Sequence, residues 1–227
     1  MQTYKIDLEK THTSYKLKDG SDAIGTTTLL SKVHRYSYGL VIWGWQQGKA
    51  GLDIKKTKEK AADIGTIAHA YIMCHFAGWQ LDTTNLIPDN VKVAENAFLS
   101  FLEWFGSREI EVIAVEKEMV SEAWGFGGTI DLLGIEDGDM CLYDFKSGKG
   151  IYDDHYWQVC GGYRPLAIEN GHDIKRVKLI HIPKDDNLDF GEKVISDPTK
   201  LGCYQRMFEL DIEWYRNERK VKGKWKG

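Results

Sequence analysis

Gly127-Gly-Thr-Ile-Asp131-Leu-Leu-Gly-Ile-Glu-Asp137-Gly138-Asp-Met-Cys-Leu-Tyr-Asp144-Phe-Lys146 is the stretch on which the fold turns. Asp-Gly between two apolar runs is the strongest short-range signal for a tight hairpin, because both central residues must adopt positive φ. A loop centred on Asp137-Gly138 sets the register. Glu136 faces Asp139, Leu133 faces Leu142, and Asp131 faces Asp144. Side chains alternate along a strand. Asp131, Leu133 and Ile135 therefore share a face with Met140, Leu142, Asp144 and Lys146, and the opposite face carries Ile130 and Leu132 against Tyr143 and Phe145. Both faces are apolar, which marks a central, buried hairpin.

The same register creates an electrostatic problem. Two carboxylates directly opposite each other lie ~5 Å apart between Cβ atoms. Like charges repel there, and burial makes ionisation costlier. Lys146 supplies one compensating charge, and a divalent cation suits the remaining carboxylate oxygens. The competing reading is a buried Asp–Lys pair with the second Asp bonded to backbone. An upstream strand over 109–120 carries Glu116 and Glu118 on one face. A four-residue loop ending at Gly125 places Glu116 opposite Asp131, and a tighter loop places Glu118 there.

Outward from the hairpin, apolar residues recur at helical spacing over 60–77 and 89–105, giving two helices. A further helix is expected over 153–169, interrupted by Gly161, Gly162 and Pro165. Strands follow over 176–182 and 190–195, and a last helix runs over 198–216. Residues 1–20 suggest a hairpin or an ordered arm, and Thr26-Thr27-Thr28 suggests a helix start. These elements predict one domain: 1–105 mainly helical, 109–216 a sheet core with flanking helices, and 217–227 a basic tail. The fold class is mixed α/β.

The 227 residues carry a net charge of -4 and a pI near 6.0, which excludes a generally basic polyanion-coating protein. Nucleic acid would have to be met in a local basic cleft. Cys74, Cys141, Cys160 and Cys203 form no CxxC pair, which argues against a zinc ribbon or an iron–sulfur cluster. Three lie in apolar or aromatic runs and are expected to be reduced core residues. No apolar run reaches membrane-spanning length, and the first residues lack a signal core, so a cytoplasmic location is expected. The run Lys55–Lys60 fits either a solvated helix surface or a phosphate-facing patch. The aromatic stretch 36–45 fits either a base-stacking surface or a core patch.

Asp131, a hairpin, and Asp144-Phe145-Lys146 together resemble the PD-(D/E)xK nuclease superfamily. Gly65-Thr66-Ile67-Ala68-His69, Glu116, Gly128-Thr-Ile-Asp131, Asp144-Phe-Lys146-Ser-Gly-Lys149 and Gln158–Tyr163 are similar, in order, to motifs of its RecB-like exonuclease branch. The resemblance spans roughly residues 25–215. It implies a restriction-endonuclease-like core, a central mixed sheet flanked by helices, with an N-terminal helical subregion. It also implies metal-dependent hydrolysis of DNA, on single strands or ends. Mg²⁺ or Mn²⁺ would be held by His69, Asp131, Asp144 and the backbone carbonyl of Phe145. Lys146 would orient water, Glu116 would support the metal, and Gln158 would complete the catalytic set. Lys149, Tyr163, Trp157, Lys55 and Lys56 are the candidate DNA contacts. A role in phage or cellular recombination and repair follows, with a single-strand annealing protein as a further partner and no iron–sulfur cluster. The alternatives are an endonuclease on the same core and a non-catalytic DNA-binding or assembly protein. One departure stands out: Tyr163 lies five residues after Gln158 rather than four, which on an α-helix turns it ~140° away.

Overall fold

The computed structural model describes residues 2–8, 13–34, 38–185 and 190–223. Asp137 and Gly138 adopt φ of 54° and 82°, as their hairpin requires. The flanking strands β6 (Phe126–Glu136) and β7 (Asp139–Lys146) pair Glu136 with Asp139 and Leu133 with Leu142. The expected register holds from Leu132–Tyr143 to the turn, but the ladder ends there, and Asp131 and Asp144 are not paired in it as expected. Antiparallel β5 (Glu111–Ser121) covers the other side of β6. β7 pairs in parallel with β8 (Arg176–His181), and β9 (Gly191–Ile195) closes that side in antiparallel sense. Two early strands, β2 (Tyr15–Lys16) and β3 (Asp22–Gly25), form a hairpin, and β3 adds in parallel to the start of β6. The result is a mixed sheet flanked by helices. β1 (Thr3–Lys5) pairs separately with β4 (Gln80–Asp82).

One detail of this topology makes the site. β5 runs beside β6 from Phe126 to Ile135, with one bulge between Val112 and Ala114. The other edge of β6 is divided: β7 pairs with Leu132–Glu136, and β3 with Phe126 and Gly127 only. Residues 128–131 have no ladder partner on that edge among the described residues. The sheet opens there, and Asp131 stands at the lip of the opening.

Helices fill both faces. α3 (Ile54–Ala77) and α4 (Pro88–Gly106) cover one face, α1 (Thr26–Val33) packs on the other with Leu29 in its core, and α2 (Tyr38–Lys49) lies outside both cores. The crossover from β7 to β8 runs through α5 (Asp153–Tyr156), a π-helical segment Trp157–Tyr163, and α6 (Arg164–Glu169). The chain ends on α7 (Pro198–Val221). One apolar cluster joins Leu133, Leu142, Val159, Leu166 and Phe208. The other joins Ile67, Phe101, Trp104, Leu132, Tyr143 and Phe145. Fully burying each such side chain stabilises by roughly 1.5–3 kcal/mol, and this layer holds the charged residues of β6 and β7 in place. Phe145 is pinned by Phe101 and Trp104, with ring centroids 5.1 and 5.6 Å away.

Four expectations need correction. Ile130 packs with Leu133 and Leu142 rather than with Leu132, so strict alternation breaks at Asp131, where the sheet opens. α3 begins at Ile54, not near residue 60. Its first turns are exposed and so carry no apolar period, but Asp53 caps them by accepting from the backbone N–H of Lys55 and Lys56. Gly161, Gly162 and Pro165 do not interrupt the crossover helix; the glycines lie in a widened π segment and Pro165 in the first turn of α6, where its missing N–H costs nothing. α7 continues through Val221, so the tail expected from 217 is helical at first, and residues 224–227 lie outside the described ones. Three of the four cysteines are buried and free, as expected, and Cys203 is exposed. Among the described residues, no helix is long and apolar enough to cross a membrane.

Candidate metal centre

Three elements converge at the opening in β6. α3 packs beside the end of β7, where a Cβ at Gly65 would make ordinary contact with the Ser147 hydroxyl, 3.7 Å away. One turn further on, His69 points at the sheet. Its Nδ1 lies 2.9 Å from Glu116 Oε1 and 3.6 Å from Asp131 Oδ1, and its Nε2 lies 3.3 Å from the Phe145 carbonyl oxygen. Ligand atoms of His69, Glu116 and Asp131 all lie within 4.8 Å of one another.

The register of β5 decides between the two glutamates. The loop 122–125 has four residues, Lys117 pairs with Ile130, and Val115 pairs with Leu132. Glu116 therefore stands opposite Asp131, and Glu118 falls opposite Thr129. Glu116 has a φ of 45°, rare for a residue with a side chain. Such a conformation costs of order 1–3 kcal/mol and persists only where the surroundings impose it. Here it coincides with a carboxylate bonded to His69.

Asp131 is 8% exposed and Asp144 only 1%. Asp131 Oδ2 accepts a hydrogen bond from the Phe145 backbone N–H at 2.7 Å, a side chain standing in for the missing strand partner. Asp144 takes a different arrangement from the one expected. Its Oδ2 lies 2.7 Å from Lys146 Nζ as an ion pair, and it lies outside the converging donor group.

The charge states follow from crowding. Burial pushes the Asp131 and Asp144 carboxyls up, and their neighbouring acids add to this. Burial pulls Lys146 down, but Asp144 and Asp131 outweigh it and hold the ammonium charged. For His69 burial again pulls down, while Asp131 and Glu116 raise the imidazole to about 10. Without a metal, the imidazolium and the ammonium are the cations facing these carboxylates.

The donor set fits a hard or borderline divalent ion: carboxylate oxygens, one imidazole and one accessible carbonyl. Coordination requires deprotonated ligands, so affinity must rise with pH. The signs of the shifts agree. A folded value above the unfolded one stabilises the metal-free protein at low pH and loses that contribution as pH rises. For His69 the window is 6.5 to about 10, and the raised carboxyls act in the same direction from below. The gain in Tm on adding Mn²⁺ is expected to be larger at about pH 9 than at about pH 6. An equal or smaller gain at the higher pH in a melting experiment would exclude His69 as a ligand.

The other candidate residues divide. Gln158 and Tyr163, five apart, are brought together: Gln158 Nε2 donates to the Tyr163 hydroxyl at 2.7 Å. The π-helix achieves this, since its i→i+5 hydrogen bonding brings residues five apart onto one side. Tyr163 is buried against Gly128, where a Cβ would come within 2.6 Å of its ring, and burial raises its hydroxyl far above the ordinary value. It supports β6 from behind and offers no open surface to DNA. Trp157 is half-buried, with the His34 ring edge-on at 4.2 Å, and likewise faces inward. Lys149 is exposed on the bend after β7, a bend anchored where His181 Nε2 donates to the Gly148 carbonyl at 2.9 Å. Lys55 and Lys56 are exposed on α3, about 20 Å from His69 at 1.5 Å per residue.

Sequence reasoning missed Tyr15. Its hydroxyl lies 3.0 Å from Thr129 Oγ1, and its ring covers Gly127, where a Cβ would meet it at 2.4 Å. The signal was present in Gly127-Gly128, two adjacent strand glycines that mark close approach from both sides.

No protein-family model matches the chain, and no curated protein matches it. Solved structures do align. A protein of Eubacterium rectale, named as a candidate exonuclease, aligns at 17% identity and a TM-score of 0.49, covering 74% of this chain and 69% of that one. An alkaline exonuclease from Laribacter hongkongensis aligns at 13% identity and a TM-score of 0.34, covering 71% and 91%. At these scores the likeness is partial, and the chemistry rests on this chain's own residues.

Proposed function

We propose that this chain is a metal-dependent DNA exonuclease acting on single strands or DNA ends. The observation that carries the proposal is the convergence of His69, Glu116 and Asp131 beside the Asp144–Lys146 pair, at a gap in the sheet. His69, Glu116, Asp131 and the Phe145 carbonyl would hold the ion, with Asp144 beside them. A bound Mg²⁺ or Mn²⁺ supplies a water of lowered pKa and offsets charge on a phosphoryl oxygen.

The chain's own groups do the rest. Lys146, held charged by its carboxylate neighbours, places an ammonium where the phosphate of a substrate would gain negative charge. Asp144 fixes that ammonium from one side. Glu116 fixes the imidazole orientation through Nδ1. Asp131 is fixed by the Phe145 N–H, so its second oxygen stays aimed at His69. Gln158 and Tyr163 brace the strand behind these groups. An annealing protein as partner, and a place in recombination or repair, are extensions of the same proposal through the sequence resemblance.

Digestion of labelled linear single- and double-stranded DNA, beside covalently closed circles, tests it with Mg²⁺ and Mn²⁺. Linear DNA is expected to be degraded from its ends, with circles left intact and EDTA abolishing the reaction. Cleavage of circles would favour the endonuclease alternative. No cleavage with either ion would leave a DNA-binding protein without activity.

A further inference from the structure

The N-terminal helices hold a surface that the metal centre does not use. α2 carries Val41, Ile42, Trp43 and Trp45 and no charge before Lys49. A helix this apolar is ordinarily buried, yet none of its described residues is. Val41 is 59% exposed and Trp45 60%, and Leu52 before α3 and Ile54 at its start are exposed too. Lys49 Nζ sits 4.8 Å from the centre of the Trp45 ring. Lys55, Lys56, Lys58 and Lys60 follow on the exposed first turns of α3. Over residues 38–60 five lysines face two acids, Asp53 and Glu59, a local charge of +3 in a chain whose total is -4.

We propose that this α2–α3 hairpin is a docking arm for unpaired DNA. The inference rests on the nuclease reading above and deepens it by naming the substrate class. Exposed indole beside lysine is the chemistry of sequence-tolerant single-strand binding: the ring stacks on a base and the cations follow the phosphates. A second copy of the chain fits the surface poorly, because it would bring the same lysines against each other. Placement supports the proposal as well. Lys55 and His69 lie on one continuous helix about 20 Å apart, a distance that an unpaired strand of several nucleotides would cover. The arm would grip the strand upstream of the cleavage point, and only a strand long enough to span both would benefit.

The test uses the full chain in EDTA, with fluorescent oligothymidylates of about four and about twenty nucleotides and a duplex of the longer length. Trp45→Ala is expected to weaken binding of the long single strand about tenfold, the loss of one stacked base, and to leave the short strand and the duplex unchanged. Lys55→Glu with Lys56→Glu and Lys58→Glu should lower the salt slope of long-strand binding by about 2, three contacts at ~0.7 each. Melting curves confirm that these surface variants fold. Hydrolysis of bis(p-nitrophenyl) phosphate with Mn²⁺ reports the metal centre alone and is expected to be unchanged in all of them. Unaltered long-strand affinity with ester hydrolysis intact overturns the docking arm and leaves the nuclease reading standing. Absent ester and DNA hydrolysis in the wild type overturns that reading instead. A wild-type dimer that Trp45→Ala dissociates, with DNA affinity unchanged, makes the surface a self-association face and also overturns the proposal.

Discussion

Replacing Lys146 with Ala is expected to slow DNA cleavage by about 10²–10³-fold while DNA binding persists. That is the loss typical when one preorganised charge aimed at the transition state is removed from a water-poor site. Lys146 is suited to this. Its side chain is 18% exposed, its ammonium lies 2.7 Å from Asp144, and the surrounding carboxylates hold it protonated. On the proposed reading its charge would act on the phosphate as reaction proceeds, so the effect belongs in kcat rather than KM. The variant also leaves Asp144 without its ion-pair partner, so the metal-free protein should melt lower and recover when Mn²⁺ is added. Cleavage measured at saturating Mn²⁺, beside binding in EDTA, separates the two effects. A cleavage rate within about tenfold of wild type would remove Lys146 from the chemistry.

The second large effect falls at the other end of the hairpin and concerns stability. Lys178 is 3% exposed and lies between Glu136, with which it forms an ion pair, and Glu192 at 3.1 Å. Arg108 bridges the same two carboxylates, and the Tyr143 hydroxyl donates to Glu136 at 3.1 Å. Burial pushes the Glu136 carboxyl up, but Lys178, Tyr143 and Arg108 outweigh it and hold it below its ordinary value. Lys178→Met removes the central cation and leaves Arg108 alone to offset the two carboxylates. The expected loss is about 3–5 kcal/mol. Adding Glu136→Gln should recover part of it, since Arg108 and Glu192 then remain as a matched pair and no charge is left uncompensated. The sign with pH is fixed. A lowered carboxyl stabilises above 4.5, its unfolded value, and loses that contribution as pH falls. The Lys178→Met penalty should therefore shrink in acid. Chemical denaturation at two pH values measures it. A loss under about 1 kcal/mol at neutral pH would mean that the network is solvated rather than structural.

The hairpin was legible in the sequence because Asp137-Gly138 leaves few choices. A two-residue loop needing positive φ fixes the register, and the register puts Asp131 near Asp144. The opening of the sheet at Asp131 was not legible. It arises because β3 and β7 share one edge of β6, a long-range pairing that no local pattern encodes. The same event moved Ile130 to the other core. Glu116 could not be chosen over Glu118 until the loop before Gly125 was known. The π-helix was hinted at by the five-residue interval and the adjacent Gly161 and Gly162. A Cβ at Gly161 would lie 2.7 Å from the Tyr204 carbonyl oxygen, so those glycines admit α7 rather than break a helix. The Lys178 network escaped notice because its members come from four separated segments, and each alone looks like a surface charge. Trp45 could not be assigned from its own neighbourhood, since an aromatic run looks alike whether buried or exposed.

Manganese located by anomalous diffraction in crystals of the chain soaked with Mn²⁺ bears most directly on the centre. A peak is expected within bonding distance of His69, Glu116 and Asp131, at the gap in β6, and it should vanish in Asp131→Asn. Crystals of active protein with no density between those three side chains, or with the ion bound elsewhere in the chain, would contradict the account.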